Sequence, residues 1–172
     1  YYLSILTMAG IFVIIVLGLN LLLGFAGQIS LGHGALFGIA AYASAVLTST
    51  YGLPLAVGML SGVGLTALVA LLVGMPVLKL KGYYLAMATL GFGLIVYIFF
   101  NEAIGLTGGP SGFVGIPSLE FAGFAFDSDL SSFYLVWTVV TLVLLGSLNL
   151  IHSRYGRALM ALHASDKAAQ SM

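Results

Sequence analysis

No Asp, Glu, Lys or Arg occurs before Lys79. A soluble domain carries about 25% charged residues and uses them to cover its surface. This chain of 172 residues has 6% charged and 61% hydrophobic residues, with a mean hydropathy of +1.17, so it lacks the groups a water-facing surface needs. Several of its apolar runs reach the ~20 residues that cross a bilayer. Ten-residue alternating segments, the mark of a membrane β-barrel, are missing. The chain reads as an all-α, polytopic integral membrane helical bundle with a Gly-rich broken helix near the N-terminus. It has no cysteine, which excludes disulfides and thiolate metal sites, and its zero net charge offers nothing to nucleic acid. Without a leading methionine, a basic n-region or a stop signal at Met172, it reads as a fragment truncated at both ends.

Five membrane segments are expected, over 3–23, 35–48, 55–78, 83–100 and 133–151, within a membrane region 1–152. A polar, helix-prone tail, 153–172, follows. Gly34 and Gly38, and again Gly58 and Gly62, have the four-residue spacing that lets helix backbones approach closely. Phe133, Tyr134 and Trp137 suit an interfacial aromatic belt. The basic residues Lys79, Lys81, Arg154, Arg157 and Lys167 fall in one loop and in the tail. The acids Glu102, Glu120, Asp127 and Asp129 fall in the long connection 101–132. The positive-inside rule then places 79–82 and 152–172 in the cytoplasm and 101–132 outside. It leaves the depth and side of residues 24–34 open, because nothing before Lys79 is charged.

That stretch, Gly24-Phe25-Ala26-Gly27-Gln28-Ile29-Ser30-Leu31-Gly32-His33-Gly34, is a polar, glycine-rich interruption of an apolar run. Irregular backbone at membrane depth is tolerated where protein or a water-filled cavity satisfies it, and transporters use such breaks at substrate paths. Gln28, Ser30 and His33 are candidates for such a path. Interhelical hydrogen bonding and tight glycine packing account for the same residues and are the stronger reading from the residues alone. Asn20 fits an interhelical hydrogen bond better than substrate contact. His33 has no partners at ligand spacing, so no metal site is expected. Gly108-Gly109-Pro110-Ser111-Gly112 lacks the lysine and spacing of a phosphate loop, so the chain has no ATPase site of its own and no enzyme site is expected. Glu102 reads as a solvated helix end. In the tail, Ala158, Ala161, Leu162, Ala168, Ala169 and Met172 share one helical side. Leu159 and Met160 fall among His163, Asp166, Lys167, Gln170 and Ser171 on the other, an apolar pair on a polar face that suits docking to a soluble partner. An amphipathic helix lying on the membrane is the alternative.

Four stretches, Gly18–Gly34, Leu78–Ala86, Leu106–Gly112 and Ser153–Leu159, give the chain a resemblance to the permease subunits of bacterial branched-chain amino acid ABC transporters, of the larger of two sister types. The resemblance implies an inner-membrane, multi-pass permease subunit of an ATP-driven importer for branched-chain or other neutral amino acids, working by alternating access. It implies a sister permease subunit, two cytoplasmic ATPase subunits that bind the ATP, and an external solute-binding protein. No cofactor of the chain's own is implied. The tail would be the ATPase-coupling segment, with Arg154, Tyr155, Gly156, Arg157, Leu159, Met160, His163 and Asp166 as its candidates, and 24–34 would lie in the pore-lining region. A urea or short-amide permease of the same family, a stand-alone channel or secondary transporter, and a non-transport membrane scaffold are the competing readings.

Overall fold

The structure, a computed structural model, describes residues 1–112, 120–121, 124–125 and 128–164. Every long apolar run is a helix. In chain order these are α1 (Tyr2–Asn20), continued by a π-helical turn (Leu21–Phe25), α2 (His33–Ser49), α3 (Leu55–Val77), α4 (Tyr83–Glu102), the one-turn α5 (Ile104–Thr107), α6 (Asp129–His152) and α7 (Arg154–Ala164). Two-residue strands, β1 (Glu120–Phe121) and β2 (Phe124–Ala125), pair antiparallel in the loop before α6. Tyr2–Phe25, α3, α4 and α6 are each long and apolar enough to cross a membrane, and α2, at 17 residues, is shorter. Among the described residues the only buried large or small apolar side chains are Ala26, Ala45, Leu85 and Val140. The exterior is apolar nearly throughout, as a lipid-facing bundle requires.

The chain divides into two compact units, one of residues 1–30 with 128 onward, the other of residues 31–127. In the first, α1 and α6 run parallel. Ser4 Oγ donates to Asp129 Oδ2 at 3.2 Å near their starts. Two turns on, Gly10 faces Val136, Trp137 and Val140, where any side chain would strike Val136. Both elements are 24 residues long, so the π turn lies at the same end as the close of α6, and α7 packs against it there. Ser128 caps α6 by accepting the Ser131 N–H, and Phe133 stacks with Tyr134 and Trp137 at the same end.

In the second unit α2 and α3 are an antiparallel pair. A Cβ on Gly62 would lie 2.6 Å from the Ala40 carbonyl oxygen, and one on Gly58 would lie 2.6 Å from Thr48 Cγ2. These two glycines set the backbone approach, as their spacing predicts. Gly34 and Gly38 do not act as such a pair: Gly34 meets open space and Gly38 lies under the Phe100 ring. Tyr42 stacks on the same ring at 4.3 Å. α4 is parallel to α2, with Leu31 opposite Thr89 and Gly38 opposite Phe100. The end of α4 is tied by Thr107, 1% exposed, whose Oγ1 lies 2.6 Å from the Phe100 carbonyl and accepts the Gly109 N–H. Gly108 and Gly109 take φ of +78° and +60° to make this turn, so the glycine-rich motif is a helix cap. Pro117, Asp127 and residues 165–172, with Asp166 and Lys167 among them, lie outside the described residues.

Candidate functional site

The glycine-rich break is held from both sides. In the first unit, the α-helical pattern opens at Leu21, whose N–H is shared between the Leu17 and Gly18 carbonyls. The turn closes with Ala26 N–H to Leu21 O at 3.2 Å and Gln28 N–H to Leu22 O at 2.9 Å. Asn20 is exposed and reaches along its own helix: its Oδ1 lies 2.5 Å from where a Gly24 Cβ would stand. Among the described residues no hydrogen bond joins it to another helix. Gln28 and Ser30 are half-buried, and neither side chain has a hydrogen-bond partner among the described residues. Gly27 takes φ +66° between them and the turn.

In the second unit, Leu31 N–H donates to Thr89 Oγ1 at 3.0 Å, and Thr89 Oγ1 donates in turn to Ala86 O. Gly32 is buried against α4, where a Cβ would lie 2.6 Å from the Thr89 carbonyl oxygen. It is also the N-cap of α2, without a side-chain cap. His33 opens α2, and its Nδ1 is buried with no partner among the described residues. A groove of about 390 Å³ adjoins this start, between Leu31, Gly34, Ala35 and Gly38 on one side and Leu90, Gly93 and Tyr97 on the other. A larger cleft, about 510 Å³, lies between Tyr42, Leu65, Phe99 and Leu106. Its only hydroxyls are Tyr42 and the already bonded Thr107, too few to orient a zwitterion. Gln28, Ser30 and His33 lie in the break and Asn20 one turn before it, and among the described residues no hydrogen bond links any two of them. Thr89, which anchors the break, carried no sequence signal beyond being a polar residue in an apolar helix.

The α6–α7 elbow is built by Ser153, Gly156 and Arg157. Ser153 leaves the helical conformation and its Oγ accepts the N–H groups of Tyr155 and Gly156 at 3.1 and 3.3 Å, an N-cap for α7. Gly156 is buried in the corner, where a Cβ would collide with the Ile151 carbonyl oxygen. Arg157 donates to the His152 carbonyl at 3.4 Å across the bend. Arg154, Tyr155, Arg157 and Met160 remain exposed. Leu159 is half-buried, so the apolar pair expected on the polar face is reduced to Met160. α7 packs on α6 and on the π turn. The His163 side chain and Asp166 lie outside the described residues.

The family model described as "Branched-chain amino acid transport system / permease component" matches residues 1–172. The chain belongs to that family. Two relatives named "High-affinity branched-chain amino acid transport system permease protein LivM" are similar to it. The Salmonella typhimurium protein is 42% identical over 87 residues and the Escherichia coli protein 38% identical over 81, each match covering 47% of this chain and 19% of the relative. The chain therefore aligns with about a fifth of the length of these relatives. No solved structure matches it significantly. As a member of a permease family with several apolar helices, it is a multi-pass membrane protein. Among the described residues of this permease, no three His, Asp or Glu side chains gather to hold a metal ion.

Proposed function

We propose that this chain is part of the inner-membrane permease subunit of an ATP-driven importer for branched-chain or other neutral amino acids. Alternating access is powered by two separate cytoplasmic ATPase subunits, which bind the ATP. A sister permease and an external solute-binding protein complete the transporter. The observation that carries this is the elbow: a capped, sharply turned short helix that presents Arg154, Tyr155, Arg157 and Met160 beyond the end of α6. Only a partner outside the bundle can use such a surface, and it fits docking on a soluble ATPase better than lying flat on lipid.

The positive-inside rule assigns the end of α6 and the Lys79–Lys81 loop to the cytoplasm. α1 is parallel to α6, so Tyr1 lies outside and residues 21–30 at the cytoplasmic end. α2 starts beside Thr89, six residues or about 9 Å into α4 from the same side. The break thus occupies the inner third of the ~30 Å hydrocarbon layer. Gln28, Ser30 and His33, whose side chains have no partner among the described residues, would border the inner mouth of the path.

The test is substitution in the full-length protein. Met160→Asp and Tyr155→Ala alter exposed groups and spare the fold. Each should lower co-purification of the ATPase and leucine uptake at least tenfold while the permease still reaches the membrane. Undiminished co-purification and uptake in both variants would overturn the docking role.

A further inference from the structure

The π-helical Leu21–Phe25 turn departs from α-helix at the end of α1. Such turns are rare, occur mostly as single turns inside α-helices and are frequent at functional sites. This one holds one residue more than an α register would across Leu21–Phe25. It is shaped for that state: Gly24 leaves free the space the Asn20 carboxamide occupies, and Gly27 at φ +66° releases the chain from the helix immediately after. The neighbour it touches is α7. The helix that carries the ATPase-docking surface therefore rests on the one turn of the Tyr2–Phe25 helix that is out of α register. The residues that leave that turn are Gln28 and Ser30, whose side chains are unpartnered among the described residues.

We propose that the Leu21–Phe25 turn is a two-state joint, which movement of α7 drives between π and α register to swing Gln28 and Ser30. Losing the extra residue would rotate the following segment by about 100° and shift it about 1.5 Å along the axis. That is a discrete change, as packed proteins require of a switch. Leu31 is pinned to Thr89, so the turning falls on residues 26–30 and carries Gln28 and Ser30 with it. The proposal rests on the docking reading of α7.

The experiment uses the full-length permease assembled with its ATPase subunits in liposomes. A cysteine replacing Gln28 is labelled with a small polar maleimide, without nucleotide and with a non-hydrolysable ATP analogue. The labelling rate should differ at least fivefold between the two states. Gly24→Ala, which favours α register and crowds Asn20, and deletion of Leu23 should each abolish the difference while the ATPase still co-purifies. Equal labelling in both states of the parent protein, or a difference that persists in Gly24→Ala, overturns the joint. If the deletion does not assemble, Gly24→Ala alone decides. Failure of the docking reading is separate: it shows in the Met160→Asp co-purification, which the labelling does not measure.

Discussion

Gly156→Ala tests the elbow most directly. A Cβ at this position would collide with the Ile151 carbonyl oxygen and lie 2.5 Å from that of Leu150, where real Cβ atoms keep at least 3.0 Å. Both obstacles are backbone, so they cannot step aside as a flexible side chain would. Relief needs an opening of about 1 Å at residue 156, which is three residues or about 4.5 Å along α7 from Ser153. That is a swing of about 13°, and at Ala164, about 16 Å from the pivot, it displaces the helix by about 3.5 Å. The collision costs about 1–3 kcal/mol if the corner resists. Alanine would otherwise strengthen an isolated helix by about 1 kcal/mol over glycine. The two effects have opposite signs, so the measurement discriminates between them. In full-length permease co-expressed with its ATPase, co-purification and uptake should fall at least tenfold. The distance between spin labels at Leu145 and Met160 should change by about 2 Å. A variant that transports normally with an unchanged label distance would refute the account of Gly156 as the corner of a fixed elbow.

Gly62→Ala places a Cβ 2.6 Å from the Ala40 carbonyl and should cost about 1–3 kcal/mol of stability, read as a lower melting temperature in detergent. Gly64→Ala, which meets open space on the same helix, should match or slightly exceed the parent. Cysteines at Ser111 and Arg154 should label from opposite sides of the membrane in intact cells and inverted vesicles. Labelling from one side would overturn the assignment of the α4–α6 connection to the exterior.

The helices were legible because a lipid-facing bundle writes itself as apolar runs. The long apolar stretches became α1, α3, α4 and α6, and the break appeared where glycines and Gln28, Ser30 and His33 interrupt them. Gly58 and Gly62 were also legible, since a small residue every four positions can pair backbones. The same rule failed at Gly34 and Gly38, because spacing says that a helix has a small-residue face and not what stands opposite. Asn20 shows a further point: a polar group in an apolar helix needs some accommodation, and a glycine four residues on in its own helix leaves it room. The depth of the break could not be read at all. The side of a segment is written in Lys and Arg, and none precedes Lys79. What the proposed depth rests on is a pair of hydrogen bonds across long sequence separations, Ser4 to Asp129 and Leu31 to Thr89. Each ties an uncharged helix to one whose flanks do carry charge. The information was in the chain, but spread between residues that only the fold brings together. The same holds for the contact between α7 and the π turn. Neither the Ser153–Leu159 motif nor the Gly24–Gly34 motif refers to the other, yet if α7 moves, the turn beneath it must yield or resist, and that choice is what links the two motifs mechanically.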